Sequence, residues 1–210
     1  MPAMTKALPA VATYQIEVVS IKANIDISTT EIKTPRLLLR YWRGSEASDI
    51  FEFAGQPGLE SMTGKATHKT LADSEKVLGQ WMVAKNRFAI YHIADGCLVG
   101  HVGLHGSWAE DDACFAHLVV AELGIFIARP YWGQGLAVEA SKAAINHGFE
   151  VLGLGAITVC HFLENTQSQR VVEKLGFKFM QVDTYHSRSL GRDFLEKQYI
   201  MFNQSSLLRN

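Results

Sequence analysis

The sequence predicts an α+β domain, in which helices cover the faces of a central mixed sheet. Several segments with strand character follow one another without a helix between them, and Asp95-Gly96 separates two of them as a hairpin signal. Consecutive strands of this kind argue against a fully parallel, doubly wound sheet. At 121–140 an apolar run, a glycine-rich turn and an amphipathic run follow in order, which adds a helix to the sheet.

The first half of the domain is predicted to contain strands, two helices and a hairpin. Its apolar pattern becomes regular from Arg36 onward. The predicted elements are a strand at 37–42, a short helix at 45–54, a loop at 56–69, a helix at 71–86, and strands at 87–94 and 97–104. The Asp95-Gly96 turn is expected to be of type I′, with positive φ at both central positions.

The second half alternates strands and helices and ends in two strands. The predicted elements are a polar loop at 107–113, a strand at 116–128, a helix at 134–152, a strand at 156–162, a helix at 166–175, and strands at 177–185 and 193–201. Asn165 is expected to cap the start of the 166–175 helix, and Gly176 is expected to end it in the left-handed conformation. The last two strands are expected to pair antiparallel.

The bulk properties are those of a globular domain with a core. The 210 residues include 48% hydrophobic residues, and the net charge of −1 argues against a sequence-independent grip on nucleic acid. Cys97, Cys114 and Cys160 are odd in number and lack CxxC spacing, so neither a disulfide framework nor a structural zinc site is expected. No stretch approaches the roughly 20 apolar residues that cross a bilayer. We therefore expect a soluble, cytoplasmic protein with no membrane partner.

The segment at 121–140 predicts a site for a phosphate group. Its glycines, Gly133 and Gly135, precede a helix whose first N–H groups and positive dipole end converge at the turn. There is no Gly-Lys-Ser/Thr sequence, which excludes a P-loop nucleotidase, and no GxGxxG after a first strand, which argues against a Rossmann site. A glycine-shaped turn without a ligand is the alternative interpretation of this segment alone.

Four segments in order carry a family resemblance: TPRLLLRYW, LVGHVGLHG, AELGIFIARPYWGQGLAVEA and ENTQSQRVVEKLGFKF. Together they resemble the GNAT superfamily of acetyl-CoA-dependent N-acetyltransferases, and within it the branch of the RimJ and RimL ribosomal-protein acetyltransferases. The resemblance covers about Thr34 to Met201 and implies the GNAT fold, with a twisted, mostly antiparallel sheet flanked by helices. It implies an acetyltransferase domain at 34–203 and a tail at 204–210. The extension at 1–33 then either adds an edge strand, within 14–27, or is loosely attached.

The same resemblance implies that acetyl-CoA is the cosubstrate and that no metal is needed. The residues expected to hold its diphosphate are Trp132, Gly133, Gln134, Gly135, Leu136 and Ala137. Trp132 departs from the Arg or Gln of the family pattern. The residues expected to pair with its pantetheine arm through the main chain are Ile125, Phe126 and Ile127. Asn165 is expected either to be a plain helix cap or also to hold the pantetheine or substrate amide.

Two residues are the candidates for catalysis. Glu122 is the only acid in the apolar strand, so it is the candidate base, and an ion pair with arginine or exposure to solvent is the alternative. Ser168 matches a serine that RimL-type enzymes place near the CoA sulfur, and an unremarkable first-turn residue is its alternative. Many family members carry a tyrosine as the acid where this chain has Val172. Tyr185 and Tyr199 are the replacement candidates.

The expected reaction is direct acetyl transfer to a primary amine, without an acyl-enzyme. The first expectation for the acceptor is the α-amine of a protein N-terminus, and the alternatives are an amino acid, a polyamine or an aminoglycoside. An acyl-CoA-binding module that has lost catalysis is a different class of function. His101 and His105 share one strand face and are expected to line the sheet or the acceptor cleft. Homodimerisation through the terminal strands or the 1–33 extension is a further expectation.

Overall fold

A computed structural model describes residues 22–204 and shows a mixed eight-stranded sheet with helices on both faces. The strands are β1 (Ile32–Lys33), β2 (Leu37–Arg40), β3 (Arg87–His92), β4 (Cys97–His105), β5 (Val120–Ile127), β6 (Ala156–Phe162), β7 (Lys178–Ser187) and β8 (Arg192–Phe202). The α-helices are α1 (Ala47–Ala54), α2 (Glu60–Thr63), α3 (Leu71–Ala84), α4 (Leu136–Glu150) and α5 (Thr166–Leu175). The predicted α+β class is confirmed.

The sheet is antiparallel except at its centre. The strand order is β1-β2-β3-β4-β5-β6-β8-β7, and β5 and β6 are the parallel pair, joined by the crossover helix α4. Their pairing runs only from Val120, opposite Ala156, to Glu122, opposite Thr158. Residues 123–127 of β5 therefore continue without a partner on the β6 side, and the sheet opens there into a gap.

Successive side chains of each strand point to opposite faces of the sheet, and each face carries one of the two main hydrophobic cores. Phe88 and Ile90 point to the face covered by α4 and α5, where they pack in the larger core with Leu136 of α4. Ala89, between them, points to the other face and packs in the second core with residues of α1 and α3. Ile27, which precedes β1, is 1% exposed and belongs to the larger core. Most of the strand predicted within 14–27 lies outside the described residues.

The Asp95-Gly96 hairpin is confirmed, but the predicted type I′ turn is wrong. His92 pairs with Cys97, so the loop holds four residues instead of two. Gly96 has φ of 64° and donates its N–H to the His92 carbonyl at 2.9 Å, whereas Asp95 is not among the described residues with positive φ. A four-residue loop needs only one left-handed position, which Gly96 supplies.

Element boundaries shift by a few residues in several places, and three differences from the prediction have a clear local cause. The strand predicted from 116 begins only at Val120, because hydrogen-bonded turns at 112–118 occupy the apolar residues before it. The helix predicted from 134 begins at Leu136, because Gly135 has φ of 79° and cannot be helical. The predicted loop at 56–69 contains the short helix α2. The end signals of α5 are confirmed: Asn165 caps its start and Gly176 ends it with φ of 82°.

A buried ion pair ties β2 to α1. Arg40 is 6% exposed and Glu46 is 3% exposed, and the Arg40 guanidinium donates to both carboxylate oxygens of Glu46. The same carboxylate accepts the backbone N–H of Arg43 at 2.7 Å, and Arg40 also donates to the Tyr41 carbonyl at 2.7 Å. Each charged group is thereby matched, which is the condition for burying it.

Replacing Glu46 with Gln should lower the free energy of unfolding by about 3–5 kcal/mol, because Arg40 would keep its charge without a buried counter-ion. Chemical denaturation at pH 7 measures the change. The matched control is Glu52→Gln on the exposed side of α1, which should change stability by less than about 0.5 kcal/mol. Equal stability of the two variants would contradict the assigned role of this ion pair.

Candidate active site

A cleft of about 450 Å³ lies where β5 separates from β6. Its walls come from residues 125–138, which include the end of β5 and the start of α4, from α5, and from the region of α2. The residues predicted to bind the cosubstrate that line it are Ile125, Phe126, Ile127, Trp132, Gly133, Gly135, Leu136, Ala137, Asn165 and Ser168. Sequence reasoning therefore named residues that the fold brings together around one cleft.

Gln134 is the predicted cosubstrate residue that does not line the cleft. Its side-chain amide turns back and donates to the Pro130 carbonyl at 3.3 Å. Its own carbonyl accepts a hydrogen bond from Arg36 at 2.8 Å. Gln134 thus belongs to the scaffold of the turn rather than to its inner surface.

The glycine turn presents main-chain donors to the cleft. Gly133 has φ of 76° and Gly135 has φ of 79°, a conformation that residues with a Cβ rarely adopt. Gly135 is the N-cap of α4, and no side chain caps this helix end. The first N–H groups of a 15-residue helix and its positive dipole end are therefore available to an anion.

Arg36, which the sequence analysis did not select, holds this turn in place. Besides the Gln134 carbonyl, its guanidinium binds the Glu139 carboxylate on the first turn of α4, with Nε donating at 2.7 Å. The Arg36 backbone N–H donates to Glu139 at 2.9 Å, and the Thr34 hydroxyl donates to it at 2.7 Å. The sequence did contain two relevant residues: an acid in the first turn of a helix, Glu139, and a basic residue just before a strand, Arg36.

Trp132 also has a positional role. Its indole Nε1 donates to the Ile127 carbonyl at 2.6 Å, which fixes the chain direction between β5 and the glycine turn. Its ring faces the guanidinium of Arg129 at 5.7 Å. The departure from the family pattern thus replaces a polar side chain with one that braces the turn from the cleft wall.

Glu122 lies beside the gap, on the sheet face that carries α1 and α3. It stands opposite His105 of β4 and Thr158 of β6, and the Cys160 thiol donates to its Oε2 at 3.5 Å. Burial, followed by the charge of Glu196, raises the pKa of Glu122 to about 7. Neither alternative interpretation fits: the carboxyl is largely buried, and within 22–204 it forms no salt bridge.

The two candidates at the start of α5, Asn165 and Ser168, differ in whether their side chains are hydrogen-bonded within the protein. Asn165 accepts the Ser168 backbone N–H at 3.0 Å and donates its amide to the Met62 carbonyl at 3.1 Å, so its side chain is occupied within the protein. The Ser168 hydroxyl lines the cleft and has no side-chain hydrogen bond to the described residues. Its position leaves it available to a ligand.

The position of the family's common tyrosine is a core position here. Val172 is 3% exposed and packs in the larger core. Tyr199 donates its hydroxyl to His161 at 3.0 Å, and Tyr185 accepts from Lys65 at 2.8 Å. Neither tyrosine lines the cleft.

The two β4 histidines lie on the face of Glu122. His101 stacks on Phe126 at 5.8 Å, and burial holds its pKa well below the usual value. His105 donates from Nδ1 to the Gly106 carbonyl at 3.1 Å, and burial with the charge of Arg87 lowers its pKa to about 4. No group of residues suited to a metal ion occurs within 22–204, and no helix there is long and apolar enough to span a membrane.

Comparison with known proteins agrees with this geometry. The family model described as acetyltransferase (GNAT) domain matches residues 36–178. The chain belongs to the GNAT acetyltransferase family. Members of this family use acetyl-CoA, and the protein is accordingly an N-acetyltransferase whose cosubstrate is acetyl-CoA.

Relatives of this GNAT protein are found among bacterial acetyltransferases. The uncharacterized N-acetyltransferase YoaA of Bacillus subtilis is 26% identical over 154 residues, which are 70% of this chain and 82% of YoaA. A GNAT-family acetyltransferase from Bacillus anthracis has a TM-score of 0.71 at 24% identity, covering 83% of this chain and 99% of that one. Spermidine N-acetyltransferase from Vibrio cholerae, solved with CoA and spermine, has a TM-score of 0.66 at 21% identity, covering 83% and 99%.

The raised pKa of Glu122 makes a prediction about stability. Its folded pKa of about 7 lies above the unfolded value of 4.5, so below pH 4.5 the carboxyl is neutral in both states and has no effect. As the pH rises from 4.5 to 7, only the unfolded state loses the proton, and the folded protein should be destabilised by about 3 kcal/mol.

Glu122→Gln should remove this penalty. Denaturation curves should be measured at about pH 4, 6 and 8, which lie below, within and above the interval in which only the unfolded state loses the proton. They should show the variant gaining stability relative to wild type as the pH rises. Glu164→Gln, at an exposed position, is the control. A stability difference that stays constant with pH would show that Glu122 titrates normally.

Proposed function

We propose that the protein transfers the acetyl group from acetyl-CoA directly to a primary amine, with Glu122 as the base. The observation that carries the proposal is a carboxyl group with a pKa of about 7 on β5, at the last residue paired with β6 and three residues before Ile125, where the lining of the cleft begins. A base with this pKa is suited to accept a proton from an ammonium group near neutral pH. The amine nitrogen then bonds to the thioester carbon, the C–S bond breaks, and Glu122, directly or through water, holds the proton.

Two further groups complete the proposed reaction. Since β5 has no partner on the β6 side after Glu122, its main chain is free to pair with the pantetheine arm, and an N–H near Phe126 stabilises the oxyanion. The Ser168 hydroxyl, which lines the cleft, or a water donates a hydrogen bond to the departing thiolate. The proposed transfer uses no cysteine nucleophile, and Cys160, the cysteine beside Glu122, is unsuited to that role because burial and neighbouring acids raise the pKa of its thiol far above the usual value.

The acceptor remains defined at the level of a primary amine. The resemblance to the RimJ/RimL branch favours the α-amine of a protein N-terminus, whereas the structural neighbour solved with spermine favours a small amine. A panel of acceptors tests the class: an N-terminal peptide, an amino acid, spermidine and an aminoglycoside, each with release of CoA as the readout. Tight binding of acetyl-CoA with no acceptor-stimulated release would instead identify a silent acyl-CoA-binding module and overturn the proposal.

Glu122→Gln should lower kcat/KM about 100-fold at pH 8, because the base contribution is lost, while the Kd for acetyl-CoA stays unchanged. The rise in wild-type kcat/KM through about pH 7 should also be absent from the variant, measured with the same acceptor. Glu164→Gln serves again as the surface control. Full turnover by Glu122→Gln at all pH values would refute the assignment of the base.

Ser168→Ala should lower kcat about tenfold, because one hydrogen bond to the thiolate is lost, without changing the Kd for acetyl-CoA. Its backbone N–H still binds Asn165, so the helix cap is kept. Thr166→Ala, at an exposed position on the same turn, is the control. An unchanged kcat would assign this hydrogen bond to water.

A further inference from the structure

A guanidinium group without an acid partner lies on the sheet face that carries Glu122. Arg87, the first residue of β3, is half-buried, and burial lowers its pKa. Within 22–204 no hydrogen bond or ion pair involves its side chain, and its recorded partner is the ring of Trp81, 5.6 Å from the guanidinium carbon. Removing an arginine charge from water without a counter-ion is unfavourable, so the partial burial of Arg87 is not offset by an ion pair among the described residues.

Two glycines, Gly103 and Gly124, leave space on the sheet for the Arg87 side chain. Arg87 pairs with Gly103 of β4, and Gly103 pairs with Gly124 of β5. A Cβ on Gly103 would come within 2.6 Å of the Arg87 Cγ, and the Cβ position of Gly124 is 3.6 Å from its NH1. Arg87 therefore lies flat across the sheet, and its guanidinium ends over β5, two residues from Glu122.

In the part of the chain that the structure describes, no ion pair neutralises the guanidinium, and the groups beside it are histidine and lysine. His105 Nε2 lies 2.8 Å from the same Cβ position on Gly124, and its Nδ1 hydrogen bond to Gly106 leaves Nε2 as a neutral acceptor. The other charge that acts on His105 is that of Lys65, a second cation. A ligand with a negative charge would supply the partner that this site lacks within 22–204.

We propose that Arg87 binds a carboxylate of the acceptor, so that the acceptor is an amino acid: a primary amine and a carboxylate in one small molecule. A guanidinium matches a carboxylate with two parallel hydrogen bonds. Residues two apart on a strand have Cα atoms about 7 Å apart, so Glu122 and the Gly124 position that the guanidinium reaches lie close enough for one small molecule to contact both groups. The inference rests on the proposed function, since the amine must reach Glu122 and the thioester.

The chemistry separates this acceptor from the others. A protein N-terminus presents a peptide carbonyl where the carboxylate would be, and a polyamine presents a second cation, which Arg87 and Lys65 repel. An amino acid, by contrast, places its ammonium toward the acidic side of the face, at Glu122 and Glu196, and its anion toward Arg87. Opposite charges at the two ends also fix which end reaches the thioester.

The test compares amino acids with their primary amides as acceptors, in wild type, Arg87→Gln, Arg87→Lys and the exposed control Lys76→Gln. Wild type should prefer each acid over its amide. Arg87→Gln should lose about 10- to 100-fold in kcat/KM for the acid, mainly through KM, and little for the amide. Arg87→Lys should recover part of the loss. Lys76→Gln should show no loss of kcat/KM for either acceptor. The Kd for acetyl-CoA should stay unchanged, and Arg87→Gln should be at least as stable as wild type, because it removes a partly buried charge that has no counter-ion among the described residues.

Three results would overturn the inference. They are equal losses for acid and amide in Arg87→Gln, a wild-type preference for the amide, and a wild-type preference for an N-terminal peptide or spermidine. Calorimetry of amino acid binding to the CoA complex separates this inference from the proposed function, because it needs no turnover. Binding that weakens in Arg87→Gln supports the site even if no acetyl transfer occurs, and absence of binding in wild type refutes it.

Discussion

The separation of β5 from β6 after Glu122 is the constraint on which both halves of the site depend. Paired strands would satisfy each other's main-chain groups and close the sheet. Here the pairing ends at Thr158, and the cleft with its glycine turn opens along the unpaired part of β5. In the proposed function, the gap lets a donor in the cleft beside α4 and α5 reach side chains that point to the opposite face of the sheet.

Two guanidinium groups on the face that carries α1 and α3 differ in whether they have an ion-pair partner. Arg40 is neutralised by Glu46, and the pair joins β2 to the first helix. Arg87 forms no ion pair among the described residues, and its charge acts on His101 and His105. The first arrangement is that of a structural ion pair, and the second is the one for which we propose a counter-ion supplied by the acceptor. Because the same sheet face supplies Arg40 with an acid partner, the lack of one at Arg87 within 22–204 points to a role in binding.

Local signals in the sequence were sufficient for most elements, because caps and glycines act over a few residues. Asn165 and Gly176 bound α5 as predicted, and the residues around the glycine turn line one cleft. The Asp95-Gly96 turn type was wrong because strand register, a nonlocal property, sets the loop length. Arg87 could not be found either, since its meaning depends on which glycines lie beside it on two other strands.

The hydrogen bonds of Arg36 make the glycine turn and the first strands one mechanical unit. Its guanidinium joins the residue before β2 to Gln134 and Glu139, at the end of the sheet where β1 and β2 form the edge. Edge strands are ordinarily among the first parts of a fold to open. By linkage, a cosubstrate that binds only the ordered turn also resists the opening of that edge. Loading of the donor and closure of the amino-terminal edge are thus coupled equilibria, and each protects the other.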